Sequence, residues 1–385
     1  MKIGIEGQRL FRKKKHGMDM VALELIHNLQ KIDDNNEYVI FVKPDVDRDC
    51  MHETANFKIV ELSGSSFPIW EQYLLPRAAR KEGCDILHCT SNTAPIHTKI
   101  PLMITLHDII YLESISILKK GGTTYQKIGN MYRRFVVPKN VKKSKRIITV
   151  SNFEKDRIRN FFGYPEEVKT LVAVYNGVSE YFKVLDDKEE LDRVKKLYNL
   201  PDEFIFFLGN TDPKKNTPGT LKAYSEFLKN SDKKIPLLML DFGSDYLNKI
   251  LDDIGDPDLK KHIQLTGYIK NTDLPAFYNL CTVFLYPSLR ESFGIPPLEA
   301  MRCGAPVISS NTSSMPEIAG GAAHIVDPFN TSEIAKGISK IISDDDYKKS
   351  LVEKGLVQAA KFSWKKMAEN VLHLYEEVYD MTNNN

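Results

Sequence analysis

The stretch YPSLRESFGIPPLEAMRCGAPVISS, residues 286–310, sets Glu291 and Glu299 eight positions apart around a glycine and two prolines. Its first residues close the strand pattern TVFLYPS (282–288), and its last, APVISS (305–310), form another. Between them LRESFGI reads as a loop, and Pro296 and Pro297 suit the first positions of a helix, where a missing N–H costs nothing. The helix PLEAMRC then stops at Gly304, a left-handed terminator. Strand, loop, helix and strand in this order describe one crossover of a parallel sheet.

The same alternation runs outward in both directions. KIGIEG (2–7), EYVIFV (37–42), FKIVEL (57–62), DILHC (85–89), LMITLHD (102–108), RIITVS (146–151) and LVAVYNG (171–177) each read as a buried strand ending in a polar or glycine turn. EFIFFLGN (203–210), PLLMLDFG (236–243), HIQLTGYI (262–269) and AAHIVD (322–327) repeat the theme. Helices lie between, as at 18–30, where Met20, Leu23, Ile26 and Leu29 recur at helical spacing. At 331–342, Ile334, Ile338, Ile341 and Ile342 share a face behind Asn330 or Thr331 as cap. The charged, strand-poor segment 179–203 places a boundary near residue 180. Ser363 caps a last helix whose apolar stripe is Trp364, Met367, Val371, Leu374, Tyr375 and Val378. The expected class is α/β, with Rossmann-like doubly wound domains at 1–180 and 181–362 and a helix at 363–385 that packs back on the first.

Composition agrees with this division. A chain of 385 residues exceeds what one hydrophobic core supports. With 42% hydrophobic and 27% charged residues it is an ordinary globular protein, and a net charge of +2 argues against a dedicated nucleic-acid binder. Cys50, Cys84, Cys89, Cys281 and Cys303 are scattered and lack zinc-site spacing, so they read as reduced, mostly buried thiols. The opening MKIGIEGQRL has no signal-peptide core, and no apolar run approaches the roughly 18 residues of a membrane span. A cytoplasmic protein follows, with any membrane contact peripheral.

Ligands of doubly wound sheets bind beyond the carboxyl ends of the strands. There the amides of Phe293, Gly294 and Ile295 stand at a helix start and form an anion site, with Gly294 allowing a phosphate or sugar close to the backbone. Glu291 lies in the loop; Glu299, a turn deeper, suits a vicinal diol such as a ribose. Each glutamate also has a bland reading, since the helix dipole favours an acid near a helix start and loop acids are commonly just solvated. A second anion site is FFLGNTDPKKNTPGTLKAY (206–224), where Gly209 turns the chain and Lys214 and Lys215 precede a helix beginning between Asn216 and Thr220. Two exposed loop lysines are the alternative. KKKHGMDM (13–20) places Gly17 before a helix, and TLHDIIYLE (105–113) places His107 and Asp108 after a strand. His107 either touches a sugar or is a hydrogen-bonded structural residue, and periodicity does not choose.

Taken with Glu291-x7-Glu299, the ordered segments ILHCTSN, TLHD, IITVSNFEKDRI, VYNGV, LGNTDPKKN, LTGYI and SSMPEIAGGAAHIVDP resemble the retaining glycosyltransferases of family 4 over nearly the whole chain. That resemblance implies the GT-B architecture, two Rossmann-like domains facing an interdomain cleft, with the acceptor on the first and the sugar nucleotide on the second. It implies that Glu291 holds hydroxyls of the donor hexose, Glu299 the ribose, and Lys215 the diphosphate; Tyr268 would lie along the base. His107 would contact the donor sugar, and Gly17 would let its loop approach the phosphates. Glu291, His107 and Lys215 are thus the expected catalytic set. Many members carry arginine after the glycine that here is Gly209; this chain has Asn210, so a second charge falls to Lys214. Ser292 stands where a glycine is usual, leaving the 293–295 amides available.

The implied reaction moves a hexose from a nucleoside diphosphate to a hydroxyl of a saccharide or lipid-linked saccharide, with retention at the anomeric carbon, in surface polysaccharide or glycoconjugate assembly. The leaving phosphate accepts the proton; no metal or other cofactor is implied, and no Asp-x-Asp stands at a strand end. A sugar-nucleotide epimerase of the same fold and a silent sugar-nucleotide-binding subunit are the alternatives. From Ser114 to Phe153 there is no acidic residue, while Lys119, Lys120, Lys127, Arg133, Arg134, Lys139, Lys142, Lys143, Lys145 and Arg146 accumulate around Tyr125, Ile128, Met131, Tyr132 and Phe135. This is either a surface for anionic membrane or a helix packed on its own domain with a solvated basic face.

Overall fold

The computed structural model describes residues 1–64, 66–113, 124–241 and 243–383. The chain divides into two compact units, one of Met1–Gly177 with Trp364–Asn385, the other of Val178–Ser363.

The first unit is built on a seven-stranded sheet in the order β3-β2-β1-β4-β5-β6-β7. Its strands are β1 (Lys2–Glu6), β2 (Glu37–Val42), β3 (Phe57–Glu61), β4 (Ile86–Cys89), β5 (Leu102–Thr105), β6 (Arg146–Thr149) and β7 (Leu171–Ala173), and every pairing is parallel. Helices cover both faces, which is why Ile3, Ile5, Ile40, Phe41, Ile86, Leu87, Met103, Ile104 and Ile147 are all buried and the strands read as apolar runs.

The helix Gly17–Ile32 buries Leu23, Ile26 and Leu29, but Met20 of the expected stripe is 38% exposed. Val21, Ala22 and Leu25 are buried instead, because the terminal helix Trp364–Asn383 lies along this helix and turns its buried face toward a second neighbour. That terminal helix buries Met367, Val371, Leu374, Tyr375 and Val378. Polar contacts fix its register: the Tyr375 hydroxyl meets His88 Nδ1 at 2.7 Å, and Arg146 pairs with Glu377 at 2.9 Å.

The second unit carries a six-stranded parallel sheet in the order β10-β9-β8-β11-β12-β13. These are β8 (Ile205–Phe207), β9 (Leu237–Met239), β10 (Ile263–Leu265), β11 (Val283–Tyr286), β12 (Val307–Ser310) and β13 (His324–Val326). Ile205, Phe207, Leu237, Met239, Leu285 and Ile308 form its core with Leu221 and Tyr224 of the helix Thr217–Lys229 and Ile334, Ile338 and Ile341 of the helix Thr331–Ser343. Asn330 is the cap of that last helix, its Oδ1 accepting from the Glu333 N–H at 3.2 Å. The strand order reverses between β8 and β11, so a crevice opens beyond their carboxyl ends, where ligands of such sheets bind.

All five cysteines are free thiols, four buried and Cys50 half-buried. Among the described residues no helix is long and apolar enough to cross a membrane.

Candidate active site

Two loops meet at the switch point of the second sheet. After β8 the chain passes Gly209 and makes a short 3-10 turn, Pro213–Lys215, capped by Asp212, whose Oδ1 accepts from the Lys214 N–H at 3.0 Å. Asn216 follows in a left-handed conformation, φ 57°, and its Nδ2 donates to the carbonyls of Pro287 (3.1 Å) and Pro328 (2.7 Å). The Leu289 N–H donates to the Lys214 carbonyl at 2.8 Å. The lysine turn is thereby sewn to the loop after β11. Gly209 is required by packing rather than by a turn: a Cβ there would stand 2.2 Å from the Phe207 ring.

After β11, residues 287–294 lead into the helix Ile295–Arg302. The following segment pins this loop from behind. Ser314 Oγ donates to the carbonyls of Glu291 (3.1 Å) and Phe293 (2.9 Å), and the Glu291 N–H donates to Ser313 Oγ (3.0 Å). Gly294 begins the helix at φ +97°, and a Cβ on it would lie 2.7 Å from Met315 Sδ. Its φ and the methionine behind it demand glycine at this position, whatever approaches the backbone from the other side. Pro296 and Pro297 lack N–H groups, so of the four donors at this helix start Gly294 and Ile295 supply two.

Three side chains close a triangle at the crevice. Lys215 Nζ lies 2.7 Å from Glu291 Oε1 and 2.7 Å from the Tyr286 hydroxyl, which in turn lies 3.0 Å from the same glutamate oxygen. The Lys215 and Glu291 side chains are 21% and 16% exposed, and the lysine also sits 4.7 Å from the Tyr286 ring centre. Burial first, then the charge of Glu291, pushes the Tyr286 hydroxyl far above its ordinary range, so it stays protonated and donates.

Glu299 sits in the body of the helix, half-buried, with the Tyr278 hydroxyl donating to its Oε2 at 3.1 Å. Burial pushes its carboxyl up to about 7, against the pull of that hydrogen bond. Its other oxygen has no protein partner among the described residues. Tyr268, past Gly267 at the end of β10, is 83% exposed. Lys214 points outward, its Nζ 3.6 Å from Asp212, and Asn210 is exposed, its Oδ1 accepting from the Asp212 N–H at 2.8 Å. Ser292 is half-buried in the same loop.

Lys215 and Glu291, expected as separate ligand contacts at two anion sites, are ion-paired on adjoining loops. Tyr286, Tyr278, Ser313 and Ser314, absent from the expected set, complete the surroundings of the two glutamates. The clue for Tyr286 was its place as the last residue of a buried strand, where a polar tip points out of the sheet's end.

In the first unit His107 follows β5 and is buried. Its backbone N–H donates to Asn92 Oδ1 at 2.6 Å, and Nε2 meets the Thr90 carbonyl at 3.0 Å. Burial lowers its pKa, so the ring is neutral; a carbonyl partner makes Nε2 the protonated nitrogen and leaves Nδ1 an acceptor. The two readings of His107 are therefore compatible. Gly17 is the first residue of its helix, exposed, with open space where a Cβ would stand. Among the described residues no group of three or more His, Cys, Asp or Glu side chains is placed to hold a metal ion.

Residues 188–358 match the family "Glycosyl transferases group 1", and residues 16–180 match "Glycosyltransferase Family 4". The chain belongs to this glycosyltransferase family. Among the curated relatives of this family 4 chain are the serotype-specific mannosyltransferase WbdA of Escherichia coli, 35% identical over 207 residues, and the O-antigen chain mannosyltransferase B of the same organism, 30% identical over 234. These alignments take in 53% and 60% of the chain; the chain spans a quarter of WbdA and 61% of mannosyltransferase B. Anabaena Alr3699/HepE, solved in complex with UDP, superposes with a TM-score of 0.73 at 16% identity, covering 98% of this chain and 100% of that one. The two parallel sheets of the family 4 chain are those of the GT-B fold.

Proposed function

We propose that the chain is a retaining, metal-independent hexosyltransferase that moves a hexose from a nucleoside-diphosphate sugar to a hydroxyl of a saccharide or lipid-linked saccharide, in assembly of a surface polysaccharide. The Lys215–Glu291–Tyr286 triangle at the β8–β11 switch point carries this reading. It sets a cation beside a carboxylate at the start of a helix, a layout suited to a diphosphate bearing a sugar. Lys215, with the Gly294 and Ile295 amides, holds the diphosphate and stabilises the charge that develops on it as the hexose departs. Glu291 accepts from hexose hydroxyls, Glu299 from the ribose diol, and Tyr268 lies along the base. The departing phosphate takes the acceptor's proton. In the first unit, His107 offers Nδ1 to a sugar hydroxyl. The E. coli relatives are named mannosyltransferases, which makes mannose the first hexose to try.

A thermal-shift panel of sugar nucleotides tests this. A donor at 100 times its Kd adds about 2.7 kcal/mol of stability. The expected result is a shift with one donor that Glu299→Ala abolishes; no shift with any donor, in folded protein, overturns the reading. Diphosphate release that requires an acceptor separates the transferase from an epimerase or a silent binding subunit.

Contact with an anionic membrane belongs to the same proposal. Lys119 and Lys120 of the basic stretch lie outside the described residues, as does the side chain of Tyr125. In the helix Thr124–Lys143, Ile128, Met131 and Phe135 recur on one face and are 59%, 62% and 60% exposed. Lys127, Lys139 and Lys142 are exposed on the same helix, with Lys139 Nζ 3.2 Å from the Phe135 ring centre. Lys143 turns inward to the carbonyls of Ile96 and Thr98. Sedimentation with vesicles containing phosphatidylglycerol, lost when Ile128, Met131 and Phe135 are all replaced by serine, is the expected result; equal binding by both proteins discards this face.

A further inference from the structure

We infer that Tyr286 is a positioning residue for the transfer reaction, holding Glu291 in place while Lys215 engages the diphosphate; the inference rests on the function proposed above. Lys215 and Glu291 arrive from segments 76 residues apart, and each is carried by a loop. Tyr286 ends β11, between β8 and β12, opposite Ser309 in the ladder. At 2% exposure its ring is locked by packing.

The hydroxyl has one hydrogen and the partners to use it. Lys215 carries hydrogens only, so at 2.7 Å it donates to the tyrosine oxygen; the tyrosine hydrogen then goes to Glu291 Oε1 at 3.0 Å. Lys215 also donates to that carboxylate oxygen at 2.7 Å, which closes the ring. When a diphosphate draws the ammonium to itself, Glu291 loses its cation. The hydrogen bond from Tyr286 is the contact that does not have to move. The ring meanwhile limits the lysine's path, its centre 4.7 Å from Nζ. Tyr286 makes and breaks no bond. It supplies the preorganisation that a site built on two loops otherwise lacks.

The test is Tyr286→Phe, which keeps the ring and removes the hydroxyl. Diphosphate release is followed from GDP-mannose and from UDP-glucose, with an oligomannoside as acceptor. A lost hydrogen bond to a charged group predicts a fall in kcat of about 10- to 100-fold, with the donor KM little changed. Because Tyr286 acts through Glu291, Tyr286→Phe combined with Glu291→Gln should be no slower than Glu291→Gln alone. Additive losses, or a Tyr286→Phe kcat within about twofold of wild type, overturn the assignment while the proposed function stands. A wild-type chain that releases no diphosphate from these donors or from any other of the sugar-nucleotide panel, with acceptor supplied, overturns the proposed function and this assignment with it.

Discussion

Lys215 Nζ and Glu291 Oε1 stand 2.7 Å apart although their positions in the chain differ by 76. Each is the other's main charge partner in a site closed to most water, so removing one leaves the other half-buried and uncompensated. Lys215→Ala is expected to lower kcat by about 10²- to 10³-fold, as for the loss of one preorganised electrostatic contact, and Glu291→Ala comparably. Steady-state kinetics on both variants check this, and the double variant should lose less than the product of the two.

With Glu299 as the proposed acceptor for the ribose diol, ligand binding and stability should depend on pH in opposite directions. Its carboxyl titrates near 4.5 in the unfolded chain and near 7 in the folded one, so between those values the folded protein holds the extra proton. Stability from this group is therefore greatest at low pH and declines as pH rises through that window. Glu71, buried beside Thr93 and Tyr132 and pushed up to about 7 chiefly by burial, acts in the same sense. A diol needs the carboxylate as acceptor, so donor affinity should rise as pH passes 7. Tm against pH for wild type, Glu299→Gln and Glu71→Gln, together with donor titrations at pH 6 and 8, measures both. Glu299→Gln should flatten the stability slope and remove the pH dependence of binding, while Glu71→Gln should flatten the slope alone.

Gly294 should tolerate no side chain. Alanine at φ +97° carries about 1–3 kcal/mol of backbone strain, and its Cβ would collide with Met315 Sδ. Gly294→Ala is expected to lower Tm and weaken donor binding, because the displaced loop carries Glu291. Adding Met315→Ala should recover part of the loss, the collision but not the strain.

The terminal helix gives a prediction confined to the first unit. Tyr375→Phe strips the buried His88 Nδ1 of its partner, at a cost of about 1–3 kcal/mol. The denaturation midpoint of that unit should fall, and donor affinity, which the proposed function assigns chiefly to the second unit, should change little.

Local pattern alone determined the strands of both sheets, the helices between them and the place of the two glutamates. The apolar runs in FIFFLG and LMITLHD and the caps at Asn330 and Gly304 are properties of neighbouring residues, written within one turn or one strand. For the same reason the E-x7-E spacing was enough to put Glu291 in a loop and Glu299 in a helix. Partners across the fold were not legible. That Lys215 reaches Glu291 follows from β8 lying beside β11, a strand order that no hydrophobic period encodes. The roles of Tyr286 and Tyr278, the turning out of Met20 and the reason for glycine at 209 and 294 belong to the same class. Each is set by what another segment places within a few ångströms, and only the packed chain decides that.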